Sequence, residues 1–136
     1  MSALQLPAPD APAEDWGRVA VSLPGWRWMP GMVALGAGRI ACMRDGRARI
    51  AAAIILCDEL GIYVPDPDDP ATAGCLEDLS GPHTMTQPAH WAGDGWYRCS
   101  ILSADGTTLS WGEGSTKGRA RIAAAAALGR WPGGEE

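Results

Sequence analysis

The sequence contains no phenylalanine and no asparagine, and it has a single lysine against ten arginines. Without phenylalanine, the seven tryptophans are expected to fill the large aromatic positions of the core, where each indole N–H needs an acceptor. The four cysteines form no C-x-x-C pair, the spacing that a zinc site usually shows. No run approaches the ~18 consecutive apolar residues of a transmembrane helix, and the first residues lack the basic and apolar regions of a signal peptide. We therefore expect reduced cysteines, no metal site, no cofactor and a soluble cytoplasmic protein.

A length of 136 residues indicates one domain with a modest core. Residues 1–13 contain three prolines and predict a flexible N-terminal arm. The domain is then expected to span 14–131, and the Pro- and Gly-rich residues 132–136 to form a flexible tail.

The first half predicts one helix followed by strands. Apolar residues recur at helical spacing between Glu14 and Leu23, and Pro24-Gly25 ends that pattern. Turn signals at 36–38 and 45–46 predict a strand between them. For 48–60, helix propensity favours a helix, whereas the apolar run at its centre equally fits a buried strand. With a further strand expected at 61–64, we favour a β-meander here.

The second half has clearer local signals. Asp69 is well placed as an N-cap with Pro70 at the first helical position, so a helix is predicted from there to about Leu79. A calcium loop is the alternative for the acidic turn before it, but the spacing of its carboxylates does not fit an EF-hand.

After a predicted loop at 81–95, residues 96–102 and 107–111 indicate a β-hairpin. A last helix is expected from Lys117 to Leu128, capped at Ser115-Thr116 and stopped by Gly129. The predicted fold is a single α+β domain. It has a small antiparallel sheet and a C-terminal helix–hairpin–helix half, with both helices on one sheet face.

The eight residues Gly-Arg-Ala-Arg-Ile-Ala-Ala-Ala occur twice, at 46–53 and at 118–125. The flanks of the two copies do not match, and the chain is rich in alanine and arginine, so we interpret the repeat as coincidence rather than duplication. One string can then adopt two conformations, because context overrides propensity.

Two motifs, Pro-Gly-Trp-Arg-Trp-Met-Pro-Gly-Met at 24–32 and Asp-Pro-Ala-Thr-Ala-Gly-Cys-Leu at 69–76, resemble a family of small uncharacterised bacteriophage and prophage proteins. The abundance of residues with GC-rich codons indicates a high-GC bacterium or its phage. The resemblance implies a non-enzymatic accessory protein in the bacterial host cytoplasm that binds a host macromolecule. Such partners include nucleic-acid-binding proteins and defence complexes such as CRISPR effectors, which makes the chain an anti-CRISPR candidate.

Two clusters are the predicted partner-binding residues. Exposed tryptophan and arginine are typical of interface hot spots, although a core without phenylalanine also needs indoles. Carboxylates, seven of them between 58 and 78, can mimic a phosphate surface. The predicted contact residues are Trp26, Arg27, Trp28, Asp66, Asp68 and Asp69.

Residues 112–125, with the hairpin that begins at Trp96, resemble the closing part of a double-stranded-RNA-binding domain, a likeness that covers 96–128. It implies phosphate contacts from Lys117, Arg119 and Arg121 at the start of the last helix. Gly118 stands where that family usually has a second lysine. Residues 1–95 carry six basic and twelve acidic side chains, a net charge of −6 that repels a polyanion. Nucleic-acid binding is therefore the alternative function.

An enzyme is the third possibility. His83 and His90 lie in one predicted loop with Thr84, Thr86 and Asp94, which allows a general base there. No Gly-x-Ser-x-Gly elbow accompanies them, so the sequence favours a protein without catalytic residues.

Overall fold

The computed structural model describes residues 6–50, 53–56, 60, 62–89 and 95–134. Within them, helices and antiparallel strands combine in the α+β fold that the sequence predicts. The helices are α1 (Ala13–Ser22), α2 (Pro70–Ser80) and α3 (Lys117–Leu128). The strands are β1 (Val33–Ala34), β2 (Gly38–Arg44), β3 (Arg47–Ile50), β4 (Ala53–Leu56), β5 (Met85–Pro88), β6 (Tyr97–Leu102) and β7 (Thr108–Gly114).

The first sheet is the predicted meander, with strand order β1-β2-β3-β4 and antiparallel pairing throughout. The β2–β3 turn is Asp45-Gly46, and both residues have positive φ, 53° and 74°, as a tight type I′ turn requires. At the described residues 48–50 and 53–56, strands β3 and β4 resolve the open choice between helix and strand in favour of strand. The strand predicted at 61–64 is wrong for its described residues 62–64. The neighbouring Pro65 makes only a single bridge to Ala34.

The second sheet has the order β5-β6-β7 and contains the predicted hairpin as β6 and β7. Strand β5 lies inside the predicted loop at 81–95, so this half is helix–three strands–helix rather than helix–hairpin–helix. Sequence patterns missed it because β5 has four residues and ends on Pro88. A proline is tolerated in this edge strand because its missing N–H costs no central ladder bond.

Helix α3 packs closely on one face of this sheet because small residues line that face of β7. The inward positions are Ser110, Gly112 and Gly114. A methyl group on Gly112 would lie 2.4 Å from the amide nitrogen of Ala124. The glycines of the Gly-x-Gly motif thus allow the alanine-rich helix to approach the strand.

Tryptophan fills the core, as the absence of phenylalanine predicts. Trp16 and Trp131 are among the largest fully buried side chains. The Trp16 indole donates to the carbonyl oxygen of Ala8 at 3.0 Å, and Trp131 donates to that of Ala20 at 2.9 Å. Around them pack the buried aliphatic residues of both halves, including Met32, Ile40, Ile50, Leu76, Leu79, Ile101 and Ile122.

The two copies of the octapeptide adopt different structures, as expected. The first forms the turn residue Gly46 and strand β3, and its last residue, Ala53, begins β4. Residues 51 and 52 lie outside the described part. The second copy lies within α3, where Thr116 caps the helix by accepting a hydrogen bond from the amide of Arg119. The flanking turn and cap therefore decide the conformation of the string.

Both predicted flexible ends are attached to the domain where the structure describes them. The carbonyl of Ala8 binds Trp16, and the carbonyls of Pro9 and Ala11 accept from the Arg119 guanidinium at 2.9 and 2.6 Å. At the other end, Pro132–Gly134 form a 3-10 turn that packs on α2.

Candidate binding surfaces

The two predicted tryptophans contact each other. The ring centroids of Trp26 and Trp28 are 5.4 Å apart with an interplanar angle of 80°, and Trp26 lies 6.2 Å from Trp131. Both are half-buried and pack against the core. Arg27 between them is exposed and lines a polar cleft with Glu77 and Asp78. The indoles therefore help to close the core, and Arg27 is the accessible member of the cluster.

Asp69 is committed to contacts within the protein. Its carboxylate forms two hydrogen bonds with the Arg39 guanidinium, at 2.7 and 2.9 Å, and accepts the Thr72 amide at 2.9 Å as the cap of α2. The Arg39 hydrogen bonds, followed by those of Thr72, lower the pKa of Asp69 to about 2.

This lowered pKa predicts a loss of stability in acid. An unfolded aspartate has a pKa of about 3.9, so the stabilisation by Asp69 is complete above that pH. It is lost as the pH falls from about 4 towards 2. Urea unfolding at several pH values should show a shallower acid loss for Asp69→Asn than for the parent. Equal losses between pH 5 and pH 2.5 would contradict this assignment.

Asp68 is paired with a buried arginine. Arg119, of whose side chain only 9% is exposed, donates from Nε and Nη2 to the two carboxylate oxygens, each at 2.9 Å. Thr116 also donates to Asp68 at 2.9 Å. Hydrogen bonding from Arg119 is the main cause of the lowered pKa of Asp68.

Two of the three predicted contact aspartates are therefore neutralised. Asp68 and Asp69 are paired with arginines, and the Asp66 carboxylate accepts the backbone amide of Asp68 at 3.0 Å. Asp58 and Glu59, which belong to the same acidic run, lie outside the described residues. These carboxylates stabilise the fold, and their role in binding a partner stays a prediction.

The predicted phosphate-binding residues divide into two groups. Arg121 is 6% exposed, donates to Thr86 at 3.0 Å and to the carbonyl of Ala73 at 2.7 Å, and lies 3.5 Å from Glu77. Arg119 is equally committed, so neither guanidinium is available to a phosphate without breaking these contacts. Lys117 is exposed, with its Nζ 5.8 Å from the Tyr97 ring centroid. Nucleic-acid binding at this helix stays a prediction that rests on Lys117 alone.

The structure describes only residues 81–89 and 95 of the proposed histidine loop. His83 is exposed, and His90 lies outside the described residues. Cys42 is exposed, Cys75 half-buried and Cys99 buried, and all three are free thiols. Burial raises the pKa of the Cys99 thiol, which makes it less reactive. In the described part of the chain, no three side chains of the metal-binding types come together.

An exposed apolar surface lies on the side of the second sheet opposite α3. The side chains of Met85, Leu109 and Trp111 are 54%, 46% and 49% exposed. Met85 and Trp111 are the cross-strand partners of Ser100. The Arg98 guanidinium stacks 4.0 Å from the Trp111 ring centroid. We call this surface, with Glu113 beside Arg98, the open face.

Sequence reasoning missed the open face, although one signal was present. In β7, small residues alternate with Leu109, Trp111 and Glu113. This strand places its small residues inward and its large ones outward, which reverses the usual arrangement, in which the large apolar residues face the core. That alternation indicates a second contact surface once α3 is known to cover the small side.

No family model, curated protein or solved structure matches this chain. Among the described residues, no helix is both long enough and apolar enough to cross a membrane. Indications of function therefore come from the surfaces themselves and from the two sequence resemblances.

Proposed function

We propose that this chain is a non-enzymatic, phage-type accessory protein that binds a protein of the bacterial host through the open face. The observation that carries this proposal is the gathering of Met85, Leu109 and Trp111 on one uncovered side of a sheet. Scattered surface apolar residues need no explanation, whereas a contiguous apolar patch indicates an interaction site.

The composition of the open face supports a protein partner. Tryptophan and arginine are enriched among residues that dominate binding energy, and here Arg98 holds Trp111 in a stacked position. Methionine adapts its shape to a partner. Because α3 packs tightly behind the sheet, the surface is rigid before binding, which reduces the entropy lost on association.

The size of the open face limits the expected affinity. Three strands of about five residues cover roughly 15 by 17 Å, which is small for a permanent complex. We therefore propose a reversible complex with a dissociation constant in the micromolar range. Further contacts would be needed for a tighter one.

The phage resemblance supports a defence or nucleic-acid-binding complex as the host partner. Mimicry of phosphate by carboxylates gives little support to a partner of this kind, because Asp68 and Asp69 are neutralised by arginines. The open face offers a route to such a partner that does not need a negative surface.

We expect Trp111→Ala to weaken binding to the host partner about 30-fold, since loss of a hot-spot tryptophan costs roughly 2 kcal/mol. The partner would be isolated from a nuclease-treated lysate of a high-GC bacterium and its affinity measured by calorimetry. Ile62→Ser is the matched control, because Ile62 is 80% exposed and lies outside the second sheet. Its affinity should stay within twofold of the parent.

Two outcomes would contradict the proposal. One is a host partner that Trp111→Ala binds as tightly as the parent does. The other is concentration-dependent dimerisation that Trp111→Ala abolishes, since a second copy of the chain would then occupy the open face.

A further inference from the structure

Three exposed arginines share the outer side of the β2–β3 hairpin. Arg44 is the cross-strand partner of Arg47, and Cys42 is the partner of Arg49, so side-chain alternation places all four on one side. The opposite side carries the buried Ala48 and Ile50. We call the surface formed by Arg44, Arg47 and Arg49 the arginine face.

Most other arginines of the chain form an ion pair with a carboxylate, and these three differ from them. Arg18 pairs with Glu14, Arg39 with Asp69 and Arg119 with Asp68. The members of the arginine face make no ion pair with any described residue. Asp45, at the turn, lines the same shallow cleft of about 220 Å³, which leaves a local charge of about +2 from the three cations and this one carboxylate.

The arrangement weakens the hairpin that carries it. Like charges placed directly opposite each other in a sheet are destabilising, and here Arg44 opposes Arg47. In the second copy of the octapeptide, the corresponding arginines, Arg119 and Arg121, are both paired with carboxylates. Local conflicts without compensation are expected at functional sites.

We propose that the arginine face binds the phosphate backbone of nucleic acid without sequence preference. Cross-strand partners lie about 5 Å apart and alternate residues of a strand about 6.6 Å apart, so the three guanidinium groups can reach neighbouring phosphates of one strand. Each can donate two parallel hydrogen bonds to a phosphate. Contacts of this kind position a nucleic acid and do not read its bases.

The net charge of −5 does not prevent this binding. At physiological ionic strength, charges farther than about 8 Å from a bound phosphate are largely screened. The charge of the arginine face itself therefore determines whether a phosphate is attracted. Three phosphate contacts predict weak affinity, in the ~1–100 μM range of non-specific binding. They also predict a salt slope of about −2.7 on a duplex.

The test measures fluorescence anisotropy of a labelled 20-base-pair DNA duplex, the corresponding RNA duplex and a single strand, at about 50, 100 and 200 mM salt, the range over which counterion release is resolved. The Arg44→Gln/Arg47→Gln variant should bind at least ~10-fold more weakly at 100 mM salt, with a slope smaller by about 2. Arg18→Gln/Arg27→Gln removes the same charge elsewhere and should stay within ~2-fold of the parent. The first variant should be at least as stable as the parent, because it removes the Arg44–Arg47 repulsion.

Several results would overturn the proposal. These are no binding by the parent up to ~100 μM at 50 mM salt, equal losses in the two double variants, and loss of binding in Lys117→Gln, which would favour the start of α3. Binding to polyglutamate but to no nucleic acid would indicate an acidic protein partner instead. Trp111→Ala should bind nucleic acid as the parent does, so this proposal and the proposed function can fail separately.

Discussion

Replacing Gly118 by alanine is expected to lower the free energy of unfolding by about 3 kcal/mol or more. A methyl group at this position would lie 1.8 Å from the carbonyl oxygen of Pro67 and 2.8 Å from its carbonyl carbon. Both are backbone atoms, so no side-chain rotation relieves the overlap. The start of α3 and the acidic turn must move apart, which also strains the Asp68–Arg119 pair. The same contact explains why no lysine stands at this position.

Gly74→Ala is the matched control. Gly74 also lies in a helix, α2, but a methyl group there meets no atom within 4 Å. Alanine should therefore stabilise the protein by about 0.5–1 kcal/mol through helix propensity and a less flexible unfolded chain. Urea unfolding of both variants measures the two effects, and a Gly118→Ala protein as stable as the parent would refute the packing argument.

Asp68→Asn is expected to lower the free energy of unfolding by about 2–3 kcal/mol, because it leaves the buried Arg119 guanidinium without its negative partner. The value lies below that of a fully buried pair since the Asp68 side chain is 35% exposed. Hydrogen bonds from Arg119 to the carbonyls of Pro9 and Ala11 remain and limit the loss.

Asp66→Asn provides the comparison for this prediction. Asp66 is two residues away and accepts one backbone hydrogen bond, which an amide oxygen can also accept. Asp66→Asn should change the free energy of unfolding by no more than about 0.5 kcal/mol. If both variants lost the same stability in urea unfolding, the Arg119 pair would not be the cause.

The parts of the fold that depend on local chemistry were predictable. Asp69 and Pro70 begin α2, and Thr116 and Gly129 bound α3, because caps and stops act within a few residues of the helix end. The Asp45-Gly46 turn similarly determined the β2–β3 hairpin. Each of these signals is complete within a short stretch of chain.

What escaped prediction depends on distant partners. The Asp68–Arg119 pair joins residues 51 positions apart, and nothing near Arg119 in sequence indicates that it is buried. The open face is visible only when it is known which side of β7 the helix covers. The arginine face was not predictable because the same octapeptide occurs twice. In the helical copy its arginines pair with carboxylates, whereas in the strand copy they do not.

The contact between Trp131 and Ala20 links residues 111 positions apart, and that between Arg119 and Pro9 spans 110. During synthesis, the helix α1 therefore emerges long before the residues that cover it. The core therefore stays open until residues 117–131 have been made and have left the ribosome. Contacts of such long range also make closure slow compared with that of a helical bundle of this size. A cell that makes this protein thus holds, for a time, a chain whose Trp16 is still exposed to other proteins.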